Sequence, residues 1–96
     1  MPTFVSLVNF TDQGIRDVKE SPRRSEAFRA MAEKLGVTVK SIYYTVGHYD
    51  IVVTLEGSDE AVTAALLKTG SLGNVRSQTL RGFSYDEMKK ITGMMP

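Results

Sequence analysis

Val37-Thr38-Val39-Lys40-Ser41-Ile42-Tyr43-Tyr44-Thr45-Val46-Gly47-His48-Tyr49-Asp50-Ile51-Val52-Val53-Thr54-Leu55-Glu56 is the stretch that decides how this chain folds. β-branched and aromatic residues recur on both sides of Gly47-His48, so the segment predicts two antiparallel strands, Val37 to Val46 and Tyr49 to Glu56, joined as a hairpin. Glycine first in a two-residue loop suits a type II′ turn. That turn sets Val46 opposite Tyr49, Tyr44 opposite Ile51 and Ile42 opposite Val53, an apolar face for helices to cover. Alternation throws Ser41, Tyr43, Thr45, Asp50, Val52 and Thr54 onto the other face, which is polar and aromatic.

Working outward, Thr3 to Phe10 is short and rich in β-branched and aromatic residues, and reads as a first strand. Thr11 and Asp12 can cap a helix start, with Ile15 and Val18 on one side of the turn that follows. Ser21-Pro22 reads as the cap and first position of a longer helix. Its stripe is Ala27, Phe28, Met31, Ala32 and Leu35, and Gly36 stops it. Beyond the hairpin, Ser58-Asp59-Glu60 opens a helix containing Val62, Ala65 and Leu66, with Gly70 as its stop. Asn74 to Phe83 is a fourth strand. Ser84 and Glu87 form a capping box ahead of Met88 and Ile91, predicting a final short helix before a fraying Gly93-Met94-Met95-Pro96.

The order βαββαβ followed by α is the ferredoxin-like split βαβ arrangement, an α+β fold with a four-stranded antiparallel sheet and helices on one face. Right-handed crossovers put the first and third strands at the centre, and the second and fourth at the edges. With 96 residues, one domain spanning residues 1–96 is all the chain can support, since a second core could not bury enough apolar surface. A sheet covered on one side leaves its other face wet or open to a partner, so self-association is expected from architecture alone.

Composition narrows the function classes. The formal charge is +1, and no run of like charge exceeds Arg23-Arg24 or Lys89-Lys90, so there is no electrostatic footprint for nucleic acid. Cysteine is absent. That removes disulfides, a thiolate nucleophile, iron–sulfur clusters and cysteine-based zinc sites, and accords with a reducing compartment. No segment approaches the roughly 20 apolar residues of a membrane span, and the amino terminus lacks a signal-peptide pattern. The expectation is a cytoplasmic protein with no membrane association and no cofactor.

Gly47-His48-Tyr49-Asp50, together with Asn9-Phe10-Thr11-Asp12-Gln13-Gly14, Met31-Ala32-Glu33-Lys34-Leu35-Gly36 and Gly70-Ser71-Leu72-Gly73-Asn74-Val75-Arg76, resembles the GYD domain family nearly end to end. The resemblance implies a dimeric α/β-barrel type of assembly, in which two ferredoxin-like sheets pack face to face. The family is mostly described as of unknown function, so the activity must be argued from residues.

His48 is the only histidine; imidazole is the side chain suited to proton transfer and metal ligation, and a carboxylate two positions on can orient it, which makes it a candidate general base or metal ligand, against a bland reading as a solvated turn residue. A lone histidine lacks the further ligands a metal site needs, so no metal is assigned. Asp50, at the start of a central strand, is a candidate ligand-binding group in a sheet-to-sheet cavity, with an ion pair to Arg76 as the structural alternative. Asn9 either reaches a ligand in the same mouth or caps the turn into Thr11-Asp12. Tyr43 and Tyr49 have opposite parity under a two-residue turn, and Tyr43 is the one expected in the cavity. Gly70-Ser71-Leu72-Gly73 follows a helix where a phosphate loop would precede one, and reads as a helix stop. Arg81-Gly82-Phe83 matches the start of an RNA-recognition signature, but on the wrong strand.

Three readings stand beside one another. The first is a homo-oligomer, a dimer or larger, binding a small polar or aromatic molecule between sheets through Asn9, Tyr43, His48, Asp50 and Arg76. The second follows from the barrel resemblance: a cofactor-free monooxygenase or isomerase-like enzyme in which His48 or Asp50 moves a proton. The third is a structural or regulatory module whose sheet face exists for assembly. Fold alone does not choose among them.

Overall fold

A computed structural model describes residues 1–96. The chain runs β1 (Thr3–Phe10), α1 (Asp12–Arg16), a 3-10 turn (Val18–Glu20), α2 (Ser21–Lys34), β2 (Thr38–Tyr44), β3 (Ile51–Glu56), α3 (Asp59–Ser71), β4 (Val75–Gly82) and α4 (Tyr85–Gly93). The strands form one antiparallel sheet in the order β2-β3-β1-β4. This is the α+β ferredoxin-like arrangement with a carboxy-terminal helix that the strand and helix pattern predicts.

The register follows from burying one face. Tyr44 pairs with Ile51 and Ile42 with Val53, while β1 sets Val8 opposite Ile51 and Ser6 opposite Val53. Val8, Ile51, Val53 and Leu55 meet Ala32 of α2 and Val62 of α3 in the core, with Val37 and Val39 closing one end. Phe4, Phe10, Phe28, Ile42, Leu66 and Val75 pack around it. A bulge between Val39 and Ser41 restores alternation after Val39 has turned inward, so Ile42 also faces the core.

Several boundaries differ from the sequence expectation, each for a local reason. The strands of the hairpin end at Tyr44 and Ile51, so the connection is Thr45 to Asp50 and not Gly47-His48. The Thr45 hydroxyl donates to the Tyr49 carbonyl at 2.5 Å and the Thr45 amide to the Asp50 carbonyl at 2.8 Å. These bonds close a wider loop, and Val46 is left fully exposed instead of opposite Tyr49. Gly47 has a φ of 149°, a conformation that favours glycine. Ser21 lies inside α2, whose cap is Glu20; the buried Ser21 hydroxyl instead bonds the Tyr44 hydroxyl at 2.9 Å. α3 runs through Gly70, and the reversal comes at Gly73, with a φ of 84°.

α4 opens with the predicted capping box: Ser84 accepts from the Glu87 amide at 3.1 Å, and Glu87 accepts from the Ser84 amide at 2.8 Å. None of its residues is buried. Tyr85, Met88 and Ile91 recur at helical spacing and are all at least partly exposed, so the helix carries an apolar stripe that the subunit covers only in part.

Candidate functional site

No helix covers the second face of the sheet. By the register it carries Val5, Leu7 and Asn9 of β1, Arg76, Gln78 and Leu80 of β4, Val52 and Thr54 of β3, and Ser41 and Tyr43 of β2. Tyr43 on the β2 edge is 66% exposed and Leu80 on the β4 edge 44%, so a large apolar group stands open at each edge of this face. Ser41 and Thr54 spend their hydroxyls on each other at 2.5 Å.

The candidate residues distribute unevenly around this face. Asn9 stands directly opposite Arg76 across the β1–β4 ladder. Asp50 grips β1 on both sides of Asn9: its amide donates to the Val8 carbonyl at 2.8 Å, and its carboxylate accepts from the Phe10 amide at 2.9 Å. Asn9, Asp50 and Arg76 are thus gathered at one end of the sheet, with Tyr43 on the same face opposite Val52. Arg76 is exposed and pairs with no carboxylate, the one ion pair being Arg23 with Glu20 at 3.3 Å. Within the subunit the Asp50 carboxylate bonds a backbone amide and not Arg76. β3 begins at Ile51, so the Phe10 amide has lost its strand neighbour, and a half-buried carboxylate takes that place.

His48 lies exposed at the loop tip and makes no hydrogen bond with Asp50, whose carboxylate bonds β1. No group of three histidine, aspartate or glutamate side chains is arranged to hold a metal ion. Tyr49 corrects the parity argument. The wider loop frees it from alternation, and its hydroxyl donates to Gln78 Oε1 at 3.3 Å, placing it at the bare face where only Tyr43 was expected. Gln78 is itself a residue the sequence reading passed over. Its two-residue spacing from Arg76 was the available signal, since both then share a face.

The other conspicuous motifs prove to be internal fastenings. Asn9 to Gly14 and Gly70 to Arg76 meet: the Thr11 amide donates to Asn74 O at 3.0 Å, its hydroxyl to Gly73 O at 2.6 Å, and Gln13 to Leu72 O and Asn74 Oδ1 at 3.2 and 3.0 Å. The turn offers carbonyl acceptors here, where a phosphate cradle offers N–H donors. Arg81 stacks over Phe83 at 4.4 Å and Phe4 at 5.7 Å and bonds the Thr3 carbonyl at 3.3 Å, so it works within the chain.

Two concavities lie on the helix side. A cavity of about 80 Å³ sits between sheet and helices, next to a groove of about 260 Å³ between α2 and α3. None of Asn9, Tyr43, His48, Asp50 or Arg76 lines either one. No helix is long and apolar enough to cross a membrane.

A family model described as "GYD domain" matches residues 4–92. The chain is also 37% identical over 90 residues, covering 92% of its length and 95% of the relative's, to a Thermus thermophilus protein named "Glutamine synthetase and cystathionine beta-lyase binding protein".

Proposed function

The chain belongs to the GYD domain family, and from that premise we propose that it is a homo-oligomeric binding module for larger proteins, assembled through its bare sheet face. The observation that carries this reading is exposed apolar groups on two surfaces: Tyr43 and Leu80 at the two edges of the sheet face that no helix covers, and Tyr85, Met88 and Ile91 on α4. A face of that kind is costly in water and is stabilised by closing on a self-complementary copy. The α4 stripe then remains for a different surface. The name of the Thermus thermophilus relative, which covers nearly the same length, supports enzymes of the glutamine synthetase or cystathionine β-lyase type as partners. A regulatory role in the cytoplasm, beside such enzymes, completes the proposal.

A second reading retains a small polar or aromatic ligand between the two sheets. Asn9 opposite Arg76 favours it, because neither side chain is engaged by another residue of the chain. Tyr43, Tyr49 and Gln78 would then supply aromatic and amide contacts. Proton transfer by His48 or Asp50 gains no such support, since His48 lies exposed at the loop tip and the Asp50 carboxylate already bonds the Phe10 amide.

The test is size-exclusion chromatography with light scattering, on the chain alone and after mixing with purified glutamine synthetase and cystathionine β-lyase from its own source organism. A dimer or larger alone, and co-elution with either enzyme, is the expected result. A monomer at micromolar concentration that passes both enzymes without a complex overturns the reading. Native mass spectrometry of the freshly purified oligomer decides the second reading through any retained ligand mass.

A further inference from the structure

The cleft on the helix side is a separate structure from the bare face, and its polarity is graded. Its inner part is walled by Phe28, Ile42, Ile51, Val53, Leu55 and Leu66. Hydroxyls also reach it, but most are already spent: Ser6 bonds Thr79 at 3.0 Å, and Ser21 and Ser25 bond Tyr44 at 2.9 and 2.7 Å. Engaged hydroxyls ask nothing of a ligand, so the inner chamber favours hydrocarbon. The outer groove shares Arg24, Phe28, Thr69 and Val75 with the chamber and adds Lys68. No aspartate or glutamate lines either part.

Arg24 is held in place by the chain itself. Its Nη1 donates to the Asp17 carbonyl at 3.2 Å and its Nη2 to the Gly14 carbonyl at 3.1 Å. A guanidinium has five N–H donors, so the side chain is fixed in direction while donors and charge remain unspent. Neither Arg24 nor Lys68 is in an ion pair. Two cations at the mouth of an apolar chamber, with no acid between them, form a potential that suits one small anion bearing a hydrocarbon tail.

We propose that the α2–α3 cleft binds a short aliphatic monocarboxylate, its tail in the chamber beneath Phe28 and its carboxylate against Arg24 and Lys68. Chamber size selects the tail. A dry cavity of about 150 Å³ admits a benzene ring, so the 80 Å³ here fits a short branched chain and not a ring. The proposal stands apart from the protein-binding reading, since the cleft and the bare face lie on opposite sides of the sheet.

Amide NMR titration of the whole protein with isovalerate, isovaleramide and benzoate tests it. The expected result is saturable shifts at Phe28, Val53, Leu66 and Thr69 with isovalerate, weaker ones with benzoate and none with isovaleramide. Replacing either cation, as Arg24→Gln or Lys68→Met, weakens isovalerate binding by about tenfold or more, as loss of a charge-assisted contact does. The Lys68 side chain is exposed and in no ion pair, so Lys68→Met reads binding even if Arg24→Gln loosens α1. Absence of saturable shifts, equal binding of the amide, tighter binding of benzoate, or shifts confined to Tyr43 and Val52 on the bare face would each overturn the assignment.

Discussion

The Asp50 carboxylate accepts the Phe10 amide proton at 2.9 Å, tying the loop before β3 to the last residue of β1. Removing it leaves a half-buried N–H without a partner, at a cost of about 1–3 kcal/mol. Asp50→Ala is expected to lose that much stability in urea titration. Asp50→Asn keeps an acceptor oxygen and is expected to lose less. Equal stability of wild type and Asp50→Ala would show the bond to be idle.

Gly14 is buried because the chain comes closest there: a Cβ on it would lie 1.9 Å from the Asn74 carbonyl oxygen. The obstacle is backbone, which cannot rotate away. Gly14→Ala is therefore expected to destabilise the fold by about 1–3 kcal/mol or more, as overpacking does. It should also increase amide exchange at Thr11 and Gly14, whose N–H groups bond within this clasp.

Tyr43→Glu and Leu80→Glu place a charge on the bare face without touching the core. Each is expected to shift the assembly toward monomer by light scattering while the melting of the monomer changes little, because burying an unpaired charge in a sheet-to-sheet interface is costly. A variant that assembles like wild type would place the interface elsewhere.

Glu87 gives α4 a pH dependence. Its carboxyl is held below the ordinary value of 4.5, chiefly by the Ser84 backbone amide, with burial opposing and the Ser84 hydroxyl and Arg81 charge assisting. A depressed folded-state value means that the cap is at full strength above the unfolded value and weakens as pH falls through the folded one. Helical signals from Met88 to Ile91 are expected to fade on acidification below that range while sheet signals persist. Glu87→Gln should flatten the profile.

Much of the fold was legible because each strand states its own period. Ile51, Val53 and Leu55 alternate with Val52, Thr54 and Glu56, and the core side is the buried one. The capping box at Ser84 and Glu87 is likewise a local device, readable from spacing alone. The candidate site was less legible. Parity from a two-residue turn put Tyr49 on the helix side, but Thr45 diverts the ladder into a wider loop and brings Tyr49 to Gln78. Asp50, at the start of a central strand, reads as open to a ligand or to Arg76; its partner is instead forty positions away on β1.

The amino-acid sequence by itself determined the element order, the strand order and which sheet face is apolar, since these follow from short-range periodicity and the handedness of crossovers. Tertiary structure alone decided that Asp50 serves the backbone of β1, that Asn9 meets Arg76, and that an Arg24-rimmed cleft opens between α2 and α3. Those relationships join residues far apart in the chain, and their distances are set by how the helices settle on the sheet, which no local pattern encodes.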